Sequence, residues 1–435
     1  MSDSCANSCA IQPKQSMVKA VLAGSIGNAL EWFDYGLYGY FATMISANFF
    51  PAKDGLTSLM LTFIVFGVGF VMRPLGGLVF GHYADRVGRR NALTGTIILM
   101  GLSTFAIGCL PTYAQVGFWA PVLLTVCRLV QGISTGGEWG SCMSFLAEYS
   151  RPDNRGYIVS WSQFSIGIGL LLGSSFGVAL STLLTPEAMM AWGWRIPFLS
   201  GILICLFGMY IRRQVDETPR YKEATEASEI IDSPLKEVVT THLRETILSF
   251  GIVIGWTISY WLIMAYMPTY MSRVLKLPMW MGFSFNTLLL LFFMAVVPFT
   301  GILADKIGRK PVILIAAGGF VLLSYPLFSL MGSTQNSVVI MGVLLVFAFH
   351  EAMICGGATV AITEIFPTNV RCSAIAIGYN IAVAMFGGTA PFVSTWLISY
   401  TGSNIAPTFY LIAGSCITIL AVTTLMEETK DKPLK

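Results

Sequence analysis

The sequence GHYADRVGRR, residues 81–90, is a short charged loop between two long apolar runs, and it decides the architecture of this chain. The pattern returns 220 positions later as GILADKIGRK, residues 301–310, with the glycine, Ala-Asp, Gly-Arg and final basic positions in register. A second pair of charges, seven residues apart, recurs at nearly the same offset, as Glu148 with Arg155 and Glu364 with Arg371. Matching motifs at one spacing indicate an internal duplication, so we expect two similar halves.

The composition places those halves in a membrane. Of the 435 residues, 55% are hydrophobic and only 11% are charged, whereas a soluble domain has about 25% charged residues. Apolar runs of about 20 residues are long enough to cross a bilayer as helices. We therefore predict an all-α integral membrane protein with 12 transmembrane helices in two six-helix bundles. The approximate spans are 18–44, 56–81, 92–110, 118–148, 156–184, 193–212, 243–271, 279–304, 312–331, 336–365, 372–399 and 405–426.

The domain organisation follows from one long polar interruption in the middle of the chain. We expect an N-terminal tail over residues 1–17, a six-helix bundle over 18–213, a linker over 214–242, a second bundle over 243–426 and a tail over 427–435. Two bundles in parallel repeat are typical of transporters whose substrate lies between the halves near the membrane midplane.

The basic residues predict the orientation. Twenty of the lysines and arginines fall on the side of the repeated loop, the linker and both tails, and four fall on the opposite side. Because positive charge accumulates in cytoplasmic loops, both termini and the repeated loops are expected in the cytoplasm of a multi-pass protein of the cell inner membrane. The placement of the basic residues is explained by membrane topology. We therefore expect the lipid bilayer as a partner and no nucleic acid.

No metal or cofactor is expected. Seven of the nine cysteines lie in or beside apolar spans, where cysteine is usually a small apolar filler. Cys5 and Cys9 lie close together, but no histidine or further cysteine completes a metal site with them. The chain also lacks a nucleophile–histidine arrangement, so we do not expect an enzyme.

Five charges of the first half are placed inside the membrane, where ionisable side chains are expensive and usually functional. Glu31 and Asp34 lie on one face of the first span, Arg73 on the second, and Arg128 and Glu138 on the fourth. Arginine remains charged, so at least one of the three carboxylates has no arginine to pair with. We predict that Glu31, Asp34 and Glu138 supply the proton coupling, although some of these charges could instead form fixed structural pairs.

The arginines are candidates to bind substrate, because a guanidinium can hold a carboxylate with two hydrogen bonds. Arg128 shares one face of the fourth span with Gln131. The complete set of predicted substrate-binding residues is Arg73, Arg128, Gln131, Tyr35, Tyr38, Trp139, Tyr260, Tyr379 and Asn380. Trp256 is a further aromatic candidate for the wall of the site, with packing as the alternative role for the aromatic residues.

The second half carries less charge, which places ion chemistry mainly in the first half. His350 and Glu351 are adjacent in the tenth span. Neighbours on a helix point about 100° apart, so the two cannot face a central cavity equally. A proton relay and a pair of satisfied structural residues are both consistent with this sequence.

The repeated loops are predicted to gate the cytoplasmic side. There the charges of neighbouring helix ends can pair across the opening in the presence of water, and exposed pairs contribute only about 0–1 kcal/mol each. Weak pairs suit a gate that must open and close. The predicted gating residues are Asp85, Arg89, Glu148, Arg155, Asp305, Arg309, Glu364 and Arg371.

These motifs resemble those of the major facilitator superfamily. GHYADRVGRR and GILADKIGRK resemble its loop motif, and RLVQG at residues 128–132 resembles its fourth-helix motif. GNALEWFDYGLYGYFA, STGGEWG, WGWRIPF and RRQVDETP are similar to stretches of the metabolite:proton symporter family. That family includes carriers of α-ketoglutarate, citrate, dicarboxylates, shikimate, and proline or betaine. The resemblance implies proton-driven uptake by alternating access. It also implies that Glu31, Asp34 and Glu138 match the family's acidic positions and that Arg73 and Arg128 match its arginines.

Three functions remain open from the sequence. The leading hypothesis is a proton symporter for a small organic carboxylate of the di- or tricarboxylate or oxo acid class, which functions as a monomer. A second is uptake of a zwitterion such as proline or betaine, whose cation would be held by aromatic side chains such as those of Trp32, Tyr35 or Trp139. A third is efflux of a drug or of a carboxylate siderophore by the same fold.

Overall fold

The computed structural model describes residues 28–77, 79–80, 89–136, 138–213, 240–367, 370–432 and 434. The predicted N-terminal tail, the first ten residues of the first predicted span, most of the loop at 81–90 and most of the linker lie outside the described residues. Of the predicted site residues, Asp85 and the side chains of Arg89, Glu138 and Glu148 also lie outside them.

The helices of the first half group into six spans. They are α1 (28–40 and Ala42–Phe49), α2 (Gly55–Val71, helical on to Gly77), α3 (Arg89–Cys109), α4 (Trp119–Thr135 and Glu138–Tyr149), α5 (Arg155–Leu183) and α6 (Arg195–Leu199 and Gly201–Arg213). Three short segments lie between them, at Tyr113–Val116, Pro186–Ala188 and Met189–Gly193.

The second half repeats the arrangement. Its spans are α7 (Leu243–Tyr260, Trp261–Tyr266 and Met267–Arg273), α8 (Met279–Ile307), α9 (Arg309–Ser333), α10 (Ser337–Ile365), α11 (Arg371–Ala382, Val383–Gly387 and Ala390–Thr401) and α12 (Pro407–Leu425). Within the described residues, eight of the twelve spans are long and apolar enough to cross a membrane.

The two halves meet along α5 and α8, with further contacts of α2 with α11 and of α10 with α4 and α5. At one end of the α5–α8 contact, the hydroxyls of Ser174 and Thr287 lie 2.8 Å apart. At the other end, the Asp305 carboxylate accepts hydrogen bonds from the backbone N–H groups of Gly156 and Tyr157 at 2.8 and 2.9 Å. The halves are therefore joined at both ends, and the centre between them is enclosed.

Two spans of the second half are interrupted near their middle by turns of the wide π type. In α7 the wide turn is Trp261–Tyr266, just before Pro268, and in α11 it is Val383–Gly387, just before Pro391. Proline has no N–H to give to the carbonyl four residues earlier, which loosens the helix there. Such local widening often marks functional sites, and it turns Trp261 toward the first half.

Glycine lets α2 and α4 approach at backbone distance. A methyl group at Gly132 would lie 2.1 Å from the carbonyl oxygen of Gly69, and one at Gly136 would lie 1.9 Å from that of Arg73. Small residues at helix contacts are the usual way in which membrane helices pack closely. This contact fixes α2 against α4, the two helices that carry Arg73 and Arg128.

We expect Gly132→Ala to destabilise the fold by about 1–3 kcal/mol, because the added methyl group would force α2 and α4 apart. The measurement is thermal unfolding of the detergent-solubilised protein, followed by tryptophan fluorescence. Gly342→Ala is the matched control, since a methyl group there meets nothing within 4 Å. Equal unfolding temperatures for the two variants would contradict the expected close contact.

Candidate functional site

The first ion pair of the site joins α1 to α2. Arg73 Nη2 lies 2.5 Å from Glu31 Oε1, and the two side chains are 0% and 2% exposed. The Nε and Nη1 atoms of Arg73 have no hydrogen-bond partner among the described residues. A buried N–H without a partner is costly, so this guanidinium retains donors that an additional anion can satisfy.

The second ion pair joins α1 to α4. Arg128 Nη1 lies 3.5 Å from Asp34 Oδ2 and donates to Gln131 Oε1 at 2.8 Å. Gln131 in turn donates to Asp34 Oδ1 at 2.7 Å, and the Thr104 hydroxyl of α3 donates to the same oxygen. Glu31 and Asp34 are thus each paired with one arginine, and Asp34 is held by partners from two other helices, α3 and α4.

Aromatic rings surround the Arg128 guanidinium, whose central carbon lies 4.6 Å from the centroid of Tyr38, 5.0 Å from that of Tyr35 and 5.4 Å from that of Phe66. The two tyrosine hydroxyls turn away from it, toward Thr135 and the carbonyl of Thr62, at 3.1 Å each. Cation–π attraction therefore stabilises the arginine while leaving Arg128 Nε without a hydrogen-bond partner among the described residues.

A small cavity lies beside Asp34, between α1, α3, α4 and α6. Its volume is about 30 Å³, and its lining combines apolar side chains with those of Thr96, Thr104, Ser134 and Thr135. A space of this size with several polar partners is sufficient for about one or two water molecules. Asp34 can therefore contact water without opening the space between the two halves.

An aromatic box lies between the halves at the centre of the molecule. We define it by Trp32, Tyr35, Phe66 and Phe70 from the first half and Tyr260 and Trp261 from the second. Trp261 stacks on Trp32 at 5.3 Å and 18°, and it meets Phe66 and Phe70 edge-on at 5.2 and 4.9 Å. Trp32 also lies 5.5 Å from Tyr260. These rings pack against one another across the interface, and aromatic faces of this kind attract organic cations.

A second aromatic contact crosses the interface nearer to the start of α11. Trp139 of α4 stacks flat on Tyr379 of α11, with centroids 3.6 Å apart and an interplanar angle of 9°. Beside it, Asn380 Nδ2 donates to the carbonyl of Gly136 at 3.4 Å, and Trp256 packs 5.8 Å from Tyr379. Tyr379 lies within electrostatic reach of both Glu31 and Arg73, so this stack lies beside the first ion pair. We call the region between the halves that is bounded by the two ion pairs, the aromatic box and this stack the chamber.

His350 and Glu351 point in different directions. Glu351 is fully buried, whereas His350 is half-buried, contacts the Phe320 ring at 5.9 Å and bonds the carbonyl of Val346 at 2.8 Å. The structure therefore does not bring the two side chains together, and it gives no support to a proton relay between them.

The described charges near the loop at 301–310 form one cluster with Arg155 and Glu364, and we call that side of the molecule the charged end. Arg155 of the first half lies 2.6 Å from Glu364 of the second, and Arg309 lies 3.0 Å from Glu364 and 3.1 Å from Asp305. Arg371 donates to the carbonyl of Phe366 at 3.2 Å. Two of the predicted gating residues, Arg155 and Arg309, thus converge on Glu364, one from each half.

We expected these pairs to be exposed to water, and that expectation was wrong. Glu364 is 5% exposed, and Arg155, Arg309 and Arg371 are 0–2% exposed. The chain after α12 covers the cluster, because the Thr429 hydroxyl donates to Glu364 Oε2 at 2.5 Å and Arg155 donates to the carbonyl of Lys432 at 3.4 Å. Removing one partner of these pairs therefore leaves an uncompensated buried charge, which is more costly than breaking an exposed pair.

Most of the predicted binding residues converge on the chamber. Arg73, Arg128, Gln131, Tyr35 and Tyr38 surround the two ion pairs, and Trp139, Tyr260, Tyr379 and Asn380 line its other walls. The sequence analysis missed Trp261, Thr104, Phe66 and Phe70. Pro268, seven residues after Trp261, is the signal that could have indicated the break in α7.

Known proteins provide a separate comparison. The family model described as Major Facilitator Superfamily matches residues 25–378 and 286–435. The chain is 37% identical to a putative proline/betaine transporter of Staphylococcus haemolyticus, over 97% of this chain and 90% of that protein. It is 35% identical to a glycine betaine/proline/ectoine/pipecolic acid transporter of Dickeya dadantii, over 96% of this chain and 84% of that protein.

Solved structures match over nearly the full chain. The xylose transporter XylE of E. coli, in a partially occluded inward-open conformation, aligns with a TM-score of 0.75 and 18% identity over 97% of this chain and 100% of that chain. The 12-helix architecture predicted from the repeated motif is confirmed as the fold of these transporters, which are not enzymes. This chain is a multi-pass membrane transporter that belongs to the major facilitator superfamily.

Proposed function

We propose that the chain is a proton-coupled symporter that takes up a small zwitterion of the proline and betaine class by alternating access. The observation that carries this proposal is the aromatic box, which spans both halves beside two arginine–carboxylate pairs. A zwitterion needs both surfaces. Ring faces attract its cationic nitrogen, and unsatisfied guanidinium donors attract its carboxylate.

The alternative of a di- or tricarboxylate is less well supported. A multiply charged anion would need cations in excess of acids, but Arg73 and Arg128 are matched by Glu31 and Asp34. The names of the similar transporters refer to proline, betaine, ectoine and pipecolic acid. Both observations favour the second of the three functions that the sequence left open.

The proton step is proposed at Asp34. When Asp34 is ionised, its charge compensates Arg128, and protonation removes that counter-charge and leaves the guanidinium free for the substrate carboxylate. A water molecule in the cavity beside Asp34 can deliver the proton. Glu31 and Glu138 remain candidates for the same role, since both were predicted inside the membrane.

The orientation of the chain is proposed from its charge. The charged end carries the loop at 301–310, which belongs to the basic side of the sequence, so we assign it to the cytoplasm of a bacterial inner membrane. In the described conformation the charged end is closed by the Arg155–Glu364 pair. Alternating access then requires that this pair opens while contacts such as Ser174–Thr287 close the opposite side, a cycle that a single copy of the chain can complete.

Transport by purified protein in proteoliposomes tests the proposal. With an imposed inward proton gradient, labelled proline and glycine betaine should accumulate, and a protonophore should abolish the accumulation. Citrate and α-ketoglutarate serve as comparators at the same concentration. Accumulation of a dicarboxylate without either zwitterion would refute the substrate class, and accumulation that the protonophore leaves unchanged would refute the proton coupling.

Trp261 provides a more specific prediction. Trp261→Leu keeps an apolar side chain but removes the ring face that stacks on Trp32, so we expect KM for glycine betaine to rise about 30-fold, as for loss of a desolvated cation–π contact. Trp261→Phe retains a ring, and its KM should rise only a few-fold. Initial uptake rates over a concentration series give both values, and equal KM values for the two variants would contradict a binding role for the ring.

A further inference from the structure

Glu351 is a buried carboxylate of the second half that takes part in neither of the two ion pairs of the site nor the charge cluster of the gate. It lies in α10 and is 0% exposed. Its Oε1 receives a contact from the Cys355 thiol at 3.6 Å, and Cys355 Sγ accepts from Trp256 Nε1 at 3.1 Å. A thiol is a weak donor, so this contact compensates the carboxylate only slightly.

Ser259 compensates Glu351 only in part. Its side chain approaches Glu351 as a hydrogen-bond partner that favours the ionised carboxylate, but the same hydroxyl also bonds the carbonyl of Trp256 at 2.9 Å. Glu351 Oε2 has no hydrogen-bond partner in the part of the chain that the structure describes. No lysine or arginine there forms an ion pair with Glu351, in contrast to the partners of Glu31 and Asp34.

The unpartnered oxygen belongs to a group of polar atoms next to the aromatic box. Tyr260 lies within electrostatic reach of Glu351, and its hydroxyl also has no hydrogen-bond partner among the described residues. The same is true of Trp32 Nε1, whose ring lies 5.5 Å from that of Tyr260. An acceptor, a hydroxyl and an indole donor, all buried, are therefore left unsatisfied on one side of the chamber.

A buried carboxylate is expensive unless a cation or a donor reaches it. The unsatisfied donors of Arg73 require an anion, and the unsatisfied acceptor of Glu351 requires a cation or an N–H group. Tyr379 links the two positions, since it lies within electrostatic reach of Arg73, Glu31 and the Cys355 thiol. The chamber thus has unsatisfied arginine donors on the first half and, on the second half, a carboxylate oxygen that no arginine or lysine of the described residues pairs with.

We propose that Glu351 accepts a hydrogen bond from the ammonium group of the substrate and thereby distinguishes nitrogens that carry hydrogen from quaternary nitrogens. This inference rests on the proposed zwitterion function. Proline has two N–H groups to donate, N-methylproline has one, and N,N-dimethylproline and glycine betaine have none. The ring faces of the box attract all four, so the hydrogen bond to Glu351 is the feature that separates them.

The test is the affinity of wild-type protein and of Glu351→Gln for proline, N-methylproline and N,N-dimethylproline, measured by competition against labelled glycine betaine in detergent. Loss of a charge-assisted hydrogen bond weakens binding at least about tenfold. We expect that loss for proline, a smaller loss for N-methylproline and at most a few-fold loss for N,N-dimethylproline. His350→Gln is the matched control, because His350 faces Phe320 outside the chamber, and it should leave all three affinities unchanged.

An equal loss for all three ligands in Glu351→Gln, or no loss for any of them, would overturn the inference. So would unchanged affinities combined with a lost dependence on the proton gradient, which would identify Glu351 as a proton carrier instead. Glu351→Asp, which withdraws the carboxylate by one methylene, gives the same comparison if the glutamine variant does not fold. Failure of the proposed function is recognised separately, because then the wild-type protein binds and accumulates none of these zwitterions.

Discussion

Arg128→Ala should abolish substrate accumulation in proteoliposomes, the largest functional loss expected from a single substitution in this chain. Arg128 bonds Gln131 at 2.8 Å, pairs with Asp34 at 3.5 Å and lies under the rings of Tyr35 and Tyr38. The variant loses the proposed partner of the substrate carboxylate and leaves the buried Asp34 without its arginine. Removing one partner of a buried pair costs about 3–5 kcal/mol, so thermal stability should fall as well.

The double variant Asp34→Asn/Arg128→Ala separates the two effects. It removes both charges, so the protein should regain much of the thermal stability that Arg128→Ala loses, but it should still not accumulate substrate. Arg128→Lys keeps the charge without the planar fork and should retain only weak transport. Normal accumulation by Arg128→Ala, or its recovery in the double variant, would contradict a role for the guanidinium in substrate binding.

The repeated motif and the apolar runs were sufficient to predict the helical architecture, because both signals are local in the sequence. The α8 span predicted at 279–304 is observed as Met279–Ile307, and the α10 span predicted at 336–365 is observed as Ser337–Ile365. Sequence did not predict the wide turns of α7 and α11. A wide turn depends on which neighbouring helix can accept the displaced side chains, and that is a property of the packed bundle.

The candidate site was only partly predictable for the same reason. Depth along a helix identified Glu31, Asp34, Arg73 and Arg128, since any charge in mid-membrane is conspicuous. Which acid pairs with which arginine was not predictable, because the pairing depends on how far α2 and α4 approach α1. The Trp32–Trp261 stack joins residues 229 positions apart, and no spacing within one helix indicates such a contact.

The exposure of the gate could not be predicted from the loop motif because a distant segment covers it. The Glu428 carboxylate accepts hydrogen bonds from the backbone N–H groups of Arg309 and Lys310 at 3.0 Å each, at the start of α9. Partial burial alone would raise the pKa of Glu428, but its backbone N–H donors outweigh burial and hold the pKa below its ordinary value. Glu428 is therefore ionised at neutral pH, anchors the chain after α12, and places Thr429 over Glu364.

Glu364→Gln should open the charged end. Glu364 is the counter-ion of Arg155 from the first half and Arg309 from the second, at 2.6 and 3.0 Å. Its neutralisation leaves two buried guanidinium groups near each other, with Asp305, which contacts Arg309, as the remaining carboxylate among the described side chains of the cluster. At about 3–5 kcal/mol for a broken buried pair, the population of the closed conformation relative to the open one should fall by at least about two orders of magnitude.

Distances between spin labels at Arg151 and Lys306, in a cysteine-depleted background, measure this change, because both positions are exposed and lie on opposite halves of the charged end. In Glu364→Gln the distribution should move to longer distances, and transport should slow because the closed state is reached less often. Glu427→Gln is the matched control, since Glu427 is exposed and contacts Lys432 at 3.5 Å. In this account of the gate, one carboxylate compensates an arginine from each half. An unchanged distance distribution in Glu364→Gln would contradict it and would mean that the packing of α5 against α8 closes this end without the charges.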